Sequence, residues 1–364
     1  ATLDVNLIRS WLTNAPHEKE KSASSRIIIV TLPMPDGETM DVQAVEAPIL
    51  TGALLKKHKN FKTYTIRGIE DATVTGKLTI TSRGIDAIIL TPKGNVFIEP
   101  TQPGHEDHYV YYEQEGSQFI HQSEDAIFPD SAFQHRHSPG APLHEHSSPI
   151  PKSAGLMLGA DLRQFRMMVV AKKEYSAQHS NPADPINDQI ADVEAAILAT
   201  INGINAFYER DVAIRIKMAE PIIFLDDPKD DMGNSVSLFG QSSSLAREAM
   251  VVFDQLIEDD MDISWDGIRL DSFDIGHVFG GLGGNGSAFL GVVCQDVDFN
   301  LDLDGDENID GVFGPAKGGA GTQSSSASGS GWYQLVAHEV GHQFSALHTF
   351  NGEEGNCGSP GQYA

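Results

Sequence analysis

The sequence predicts an α+β fold in which a mainly β domain precedes a twisted mixed sheet with helices packed on it. Four short runs rich in β-branched residues are separated by Pro or Gly, as the strands of hairpins are, and they lie at residues 26–32, 77–80, 87–90 and 95–98. After residue 159, strand patterns alternate with helical ones, which favours a sheet covered by helices. The chain has 364 residues, enough for two domains with separate cores.

Residues 116–158 separate a β-rich domain at 1–115 from a second domain at 159–364. This stretch is rich in Pro, His and Ser and shows no periodicity, which is typical of a linker and of a site for proteolytic processing. Two His-x-His pairs lie within it, at residues 135–137 and 144–146. Such pairs can bind metal, but solvent exposure is the better interpretation in a Pro-rich linker.

The second domain contains two predicted helices before residue 260. Asp184 is the predicted N-cap of the first, with Pro185 at its first helical position, and its apolar residues keep one face up to Ile204. The second helix covers residues 244–257. Strands are predicted at residues 165–171, 213–218, 274–278 and 289–293, and the Gly- and Ser-rich stretch 318–331 is expected to be mobile.

The formal charge of −26, from 25 basic and 51 acidic residues, argues against nucleic acids and anionic membranes as partners. No run of about 18 uninterrupted apolar residues is present, so no membrane span is expected. The N-terminus lacks a basic and apolar leader, so a signal peptide has been removed from this numbering or never existed. Cys294 and Cys357 are too few for a disulfide scaffold, and their pairing stays open, as does the oligomeric state.

The chemistry of the chain is concentrated in a predicted helix at residues 331–345. His338 and His342 are four residues apart, so both imidazoles project from one helical face and can reach one zinc ion at about 2.0–2.1 Å. Glu339 points elsewhere and can contact a zinc-bound water as general base. His348 can supply the third ligand if the helix stops near its predicted end and the chain turns back. The pattern therefore predicts a zinc site with one position left for water.

The residues from His338 to His348 read HEVGHQFSALH and resemble the HExxHxxGxxH motif of the metzincin zinc metalloproteases. More narrowly, the chain resembles the reprolysin-like secreted metallopeptidases of bacteria, in which a similar HTFN continuation follows the third histidine. The first 115 residues look like the propeptide of that group. The resemblance covers most of the chain and includes residues 61–64, 108–112, 274–279, 290–294 and 348–351.

This resemblance implies a metzincin-like catalytic domain and a zinc endopeptidase that is made as a zymogen, exported from the cell and active on protein or peptide substrates. It also implies that His338, His342 and His348 bind the zinc. Glu339 is then the general base for the zinc-activated water, whose pKa falls to roughly 7. The predicted propeptide has no cysteine, so a thiolate from it cannot block the zinc. An Asp, Glu or His from the propeptide or the linker is the hypothesis for latency.

The chain departs from the metzincin pattern in two places. Ser345 replaces the glycine of the turn, where a left-handed backbone costs a non-glycine residue about 1–2 kcal/mol. The methionine-containing turn that the resemblance places after the third histidine is absent before Ala364. We therefore expect a truncated or cleaved product or an incomplete gene model, and the activity of this chain by itself is left open.

An acidic loop suggests calcium as a second cation. Asp302, Asp304, Asp306 and Asp310 alternate around Gly305, and alternating carboxylates on a tight loop suit Ca²⁺, although the spacing departs from that of an EF-hand. The other interpretation is an acidic, solvated insertion.

Two alternative functions remain. A thermolysin-like protease takes its third ligand from a glutamate far downstream, and His348 argues against it. The alternative from a different class is a calcium-stabilised extracellular binding or adhesion protein whose zinc site is structural or inactive. The missing methionine turn favours this second alternative.

Overall fold

The computed structural model describes residues 1–20, 27–102, 104, 106–113, 126–127, 161–229, 233–258, 268–306 and 308–346. These residues form helices and two large sheets, which confirms the predicted α+β class. The two His-x-His pairs, His348 and Cys357 lie outside the described residues.

The helices are α1 (Val5–Leu12), α2 (Gly52–Lys57), α3 (Lys173–His179), α4 (Ile186–Val212), α5 (Leu245–Glu258) and α6 (Gly329–Gln343). The strands of the first sheet are β1 (Ile28–Pro33), β2 (Thr39–Glu46), β3 (Lys62–Gly68), β4 (Thr75–Thr81), β5 (Gly84–Thr91), β6 (Gly94–Pro100) and β7 (His108–Tyr112). The strands of the second sheet are β8 (Ala126–Ile127), β9 (Arg163–Ala171), β10 (Ile214–Met218), β11 (Ile222–Ile223), β12 (Ile275–Gly280), β13 (Gly284–Phe289) and β16 (Ala320–Ser324). A separate pair is formed by β14 (Phe299–Leu301) and β15 (Gly311–Phe313).

The first sheet is a seven-stranded antiparallel meander in which each strand pairs with the next one in the sequence. Side chains alternate across it, so that Val30 and Leu32 of β1 are buried while Ile29 and Thr31 are exposed. Helix α1 adds Leu12 to the same hydrophobic core. We refer to residues 1–113 as the N-terminal part and to residues 161–346 as the C-terminal part.

The second sheet has the strand order β10-β9-β12-β16-β13-β8, and its first four strands are parallel. β13 runs antiparallel to β16. Side chains of β9 alternate between two cores, because Met167 and Val169 pack with α4 and α6 whereas Met168 and Val170 pack with α5. Helices α4 and α6 therefore share one face of the sheet.

Two predictions are wrong in the glycine-rich regions. β13 covers Gly284–Phe289, whereas residues 290–293, predicted as a strand, form a turn in which Gly291 has a φ of 69° and the following Cys294 a φ of 62°. The stretch expected to be mobile contains β16, a strand inside the sheet, and the start of α6. Glycine at position 321 lets α5 pack closely on β16, since a Cβ there would lie 3.0 Å from the Leu245 Cβ.

The N-cap prediction for α4 is also wrong. The helix begins at Ile186, and Pro185, with a ψ of 145°, is the N-cap. The Asp184 carboxylate accepts a weak hydrogen bond from the Asn181 amide at 3.4 Å instead. The predicted helix start and the predicted cap therefore each lie one residue before the observed ones.

Helix α4 lies between the two sheets and joins them into one core. A single hydrophobic cluster contains Ile88 and Phe97 from the N-terminal part together with Ile201 of α4 and Tyr333 of α6. Gly203 of α4 permits this packing, because a Cβ there would lie 2.5 Å from the Tyr333 ring and 2.9 Å from Ile88. By length and composition α4 is apolar enough to cross a membrane, yet 78% of its most apolar window is buried inside the protein, as in a core helix.

Buried ion pairs also join the two parts. Lys77 of β4 is only 3% exposed, and its ammonium lies 2.7 Å from a carboxylate oxygen of Glu209 on α4. The Arg215 guanidinium pairs with the same carboxylate at 2.6 Å and with that of Glu18 at 2.5 Å. Removing one partner from such a buried network leaves an uncompensated charge, so the network favours one arrangement of the two parts.

The N-terminal part also caps helix α6. The backbone N–H of Gly329 donates to a Glu99 carboxylate oxygen at 2.9 Å, and that of Ser330 donates to the Tyr111 hydroxyl at 3.1 Å. Tyr111 in turn donates to Glu99 at 2.8 Å. The first N–H groups of a helix have no partners within it and favour negative charge. Residues of the first sheet therefore stabilise the start of α6.

We expect the two parts to remain associated after the chain is cut between residues 113 and 161, because they share a core, an ion-pair network and a helix cap. A site-specific protease sequence inserted in this segment would yield two fragments. These fragments should co-elute in size-exclusion chromatography without denaturant, and their separation under those conditions would contradict the prediction.

Lys77→Glu tests the ion-pair network within this association. It places a like charge beside Glu209 and should destabilise the interface by about 3–5 kcal/mol, so the cut fragments should separate at a lower denaturant concentration. Lys93→Glu makes the same charge change on an exposed turn residue of the N-terminal part and should leave that concentration unchanged.

Candidate metal centre

His338 and His342 lie on one face of α6, as their spacing predicted. Their Nε2 atoms are 3.0 Å apart, and the two rings meet at 84°. Two nitrogens bound tetrahedrally to zinc at 2.0–2.1 Å are roughly 3.3 Å apart, so the observed pair is close to the separation that one zinc ion requires. The rotation of the helix is fixed by Trp332, Val336 and Val340, which are buried in the hydrophobic core.

A backbone carbonyl determines the tautomer of His342. Its Nδ1 lies 2.7 Å from the carbonyl oxygen of Ala346, which can only accept, so Nδ1 carries the proton. In the neutral ring, Nε2 then has a lone pair on the side that faces His338. Metal-binding histidines usually donate their other ring N–H to a carbonyl or carboxylate in this way. The donor chemistry at His342 therefore fits a zinc ligand.

Helix α6 ends at Gln343, and Ser345 adopts the left-handed conformation that the sequence predicted, with a φ of 72°. The N–H of Ser345 donates to the His342 carbonyl at 2.8 Å, and that of Ala346 donates to the Gly341 carbonyl at 2.9 Å. The chain therefore leaves the helical path where the return of a third ligand requires it. The assignment of His348 stays a prediction, because that residue lies outside the described part of the chain.

The turn after β13 completes the end of α6. The N–H of Gly291 donates to the His342 carbonyl at 3.1 Å, and that of Val293 donates to the Gln343 carbonyl at 3.3 Å. These bonds satisfy carbonyls that a helix C-terminus leaves without intrahelical partners. Glycine is required at position 291, because a Cβ there would lie 2.6 Å from the Ser345 Oγ and because φ is positive.

The buried Gln343 side chain ties the last turn of α6 to the sheet. Its Nε2 donates to the Gly276 carbonyl at 3.0 Å and lies 3.3 Å from the Lys317 carbonyl. Its Oε1 is 3.4 Å from His277 Nδ1, and His277 Nε2 is 2.7 Å from the Thr322 hydroxyl. Burial lowers the pKa of His277 to about 3, so this ring is neutral and acts as a hydrogen-bonding link between α6 and β16.

Glu339 is fully buried and faces β13 at Gly286. A Cβ at position 286 would lie 2.5 Å from both Cγ and Oε1 of Glu339. The Tyr208 hydroxyl of α4 donates a hydrogen bond to the Ala337 carbonyl at 2.7 Å. The pKa of Tyr208 is raised, mainly because the residue is buried and also because of the negative charge of Glu339. The carboxylate of Glu339 therefore lies in a low-dielectric region, where its electrostatic effect on a neighbouring group is large.

The structure brings together three of the four aspartates of the predicted calcium loop. Carboxylate oxygens of Asp302, Asp304 and Asp310 lie within 4.8 Å of one another, and Asp306 is not part of this group. Backbone N–H groups of the same loop donate to these carboxylates, for example that of Gly305 to Asp302 at 2.7 Å. The backbone N–H of Asp306 favours the charged form of Asp304, but the charges of the neighbouring aspartates outweigh it and raise the pKa of Asp304. The calcium site stays a prediction.

Three residues of the site were not predicted from the sequence, namely Gly286, Gly291 and Gln343. A signal for Gly291 was present, because it lies within the predicted strand 289–293, and glycine within a strand pattern indicates close approach of another group. No sequence signal distinguished Gln343, whose role depends on carbonyl groups that lie 67 and 26 residues away along the chain.

Residues 194–349 match the family model described as metallo-peptidase family M12B, reprolysin-like. This range begins in α4 and includes His338, Glu339, His342 and His348. The match supports a metzincin-like metallopeptidase with zinc as its metal and peptides or proteins as its substrates. Among solved structures, the chain is similar to metalloproteinase-II from Bacteroides fragilis, with 13% identity and a TM-score of 0.39 over 94% of this chain and 88% of that one. No curated protein matches the chain.

We expect Ser345→Gly to preserve zinc binding and to raise the free energy of unfolding by up to about 1 kcal/mol. Glycine removes the left-handed strain of about 1–2 kcal/mol but increases the entropy of the unfolded chain. Ser345→Val should lower the Tm and weaken zinc binding, since a β-branched residue is strongly disfavoured at this φ. Thermal unfolding and zinc titration check both, with Ser326→Val as a control at an exposed serine that lacks a positive φ. Equal behaviour of Ser345→Val and the control would show that the turn does not depend on this conformation.

Proposed function

We propose that this protein is a secreted zinc endopeptidase, made as a zymogen, in which Glu339 is the general base. The observation that carries the proposal is the pair of imidazoles on α6, whose Nε2 atoms are 3.0 Å apart with the His342 tautomer set by the Ala346 carbonyl. The reprolysin-like family match over the same residues supports it. Export and the zymogen form are proposed from the resemblance of the chain, including its first 115 residues, to secreted reprolysin-like proteins.

The residues of α6 divide the chemistry among them. His338 and His342 would hold the zinc ion, with His348 as the predicted third ligand. Zinc bound there supplies a Lewis acid that polarises a peptide carbonyl and lowers the pKa of a water molecule to roughly 7. Glu339 accepts the proton of the attacking water and delivers it to the leaving amine. The burial of Glu339 keeps the base in a region of low dielectric, where charges that develop during the reaction interact strongly with it.

Among the described residues, the N-terminal part makes polar contacts with α6 at Gly329, Ser330 and Gln334, all before His338. We therefore assign latency to the connecting segment rather than to the first sheet. Strand β8 belongs to that segment and pairs in parallel with β13 at Ala288 and Phe289. β13 also contains Gly286, which faces Glu339, so this pairing brings the connecting segment to the strand beside the site and supports the assignment.

We expect Glu339→Gln to abolish most proteolysis and to preserve zinc binding. Glutamine keeps the size of the side chain but cannot accept a proton, so kcat/KM on casein or a peptide should fall by about 10²–10⁴-fold. Chelation should remove the activity of the wild-type protein, and added zinc should restore it. The measurement uses the protein after proteolytic activation in the connecting segment, with zinc content determined on each sample. Glu220→Gln, at an exposed glutamate of the same part, is the matched control and should retain full activity.

Two outcomes would overturn this assignment. Full proteolysis by Glu339→Gln would reject the general base. Stoichiometric zinc binding by a wild-type protein that cleaves no substrate even after proteolytic activation in the connecting segment would favour the alternative of an extracellular binding protein with an inactive zinc site.

A further inference from the structure

Strand β13 leaves a space that the Glu339 side chain fills. At Gly286 a Cβ atom would lie 2.5 Å from Cγ and Oε1 of Glu339 and 2.6 Å from its Cδ. Carbon atoms do not approach one another this closely, so a methyl group at position 286 and the observed Glu339 conformation exclude each other. The clash includes atoms near the base of the side chain, and Glu339 is fully buried, so the carboxylate cannot move aside into solvent.

The backbone does not require glycine at this position. Gly286 is not among the residues with positive φ, and it pairs with Thr322 in a regular antiparallel ladder between Asn285 and Ser287. An alanine can adopt the extended conformation of such a strand. The constraint at position 286 therefore comes from the neighbouring side chain.

The strand itself cannot retreat from α6. Next to Gly286, the Ser287 hydroxyl accepts a hydrogen bond from the Ala246 N–H of α5 at 2.8 Å, and Ser287 is buried. β13 is thus held by β16 along one edge and by α5 on the face opposite α6. A side chain added at position 286 must displace Glu339, because the strand is held on both of these sides.

We propose that Gly286 is a positioning residue for Glu339, and that its missing side chain lets the carboxylate lie where it can act as the base. The expected effect of Gly286 on catalysis rests on the proposed function. The competition of side chains at positions 286 and 339 for one volume does not depend on whether the protein is an enzyme.

The kinetic test compares two alanine variants on the same face of β13. Gly286→Ala should lower kcat by about 10²-fold, the cost of a displaced catalytic group, while zinc content and KM stay unchanged. Gly284→Ala is the matched control two residues away, where an added Cβ meets nothing within 4 Å and φ is not positive. It should retain the wild-type kcat. A Gly286→Ala protein with full kcat would reject the positioning role.

The second test measures the competition without any reaction, by thermal unfolding of the metal-free protein in chelator. Gly286→Ala should lower the Tm by roughly 2–10 °C, because overpacking a buried site is destabilising. Combining it with Glu339→Ala should recover most of that loss, since the truncated side chain frees the volume. If the two substitutions lower the Tm additively, the two positions do not share a space and the proposal is wrong.

These tests separate the proposal from the function on which it rests. If the wild-type protein cleaves nothing after proteolytic activation, the proposed function fails and the thermal cycle still decides whether Gly286 and Glu339 compete. If the wild type is active and the thermal cycle is additive, the function stands and the role of Gly286 is rejected. Should Gly286→Ala fail to fold, recovery of folding in the Gly286→Ala, Glu339→Ala double variant supports the proposal, and persistent misfolding opposes it.

Discussion

The end of helix α6 is the constraint on which the site depends. Both imidazoles and the carboxylate belong to one helical segment, so their positions follow from how that segment is rotated and where it stops. The left-handed Ser345 turns the chain so that the Ala346 carbonyl meets the His342 imidazole at 2.7 Å. In a continuing helix that carbonyl would instead accept from a backbone N–H four residues later. The strain of about 1–2 kcal/mol at Ser345 is thus coupled to the tautomer of a zinc-ligand candidate.

The two ends of α6 are fixed by different parts of the molecule. Glu99 and Tyr111 of the first sheet bind the N–H groups at its start, and Gln343 binds carbonyls of the second sheet at its end. With a rise of 1.5 Å per residue, His338 lies about 13.5 Å along the helix from Gly329, its capped first residue. The N-terminal part therefore stabilises the start of the helix that carries both imidazoles.

The sequence predicted the elements whose signals are local. The spacing of His338 and His342, the end of the helix and the left-handed Ser345 follow from helical geometry and steric preference, and the structure shows each of them. The sequence-based prediction failed for β13, whose strand was placed at residues 289–293, and for β16, which was expected to be mobile, because glycine and serine are rare in strands. Both strands are stabilised by neighbours distant in sequence, for example by α5 packing against Gly321, and no local pattern contains that information. The contacts of Gln343 were unpredictable for the same reason.

The wrong prediction for β13 has a physical cause in the packing around Glu339. A glycine in a strand has no side chain to pack and loses more entropy on folding, so strand preference opposes it. The buried Glu339 side chain occupies the volume that a side chain at position 286 would fill. The composition that disfavours a strand is therefore the one that lets this strand approach Glu339, the proposed base. At this position the packing of Glu339 overrides local strand preference, and the β16 ladder and the α5 contact through Ser287 supply the stability that the glycine does not.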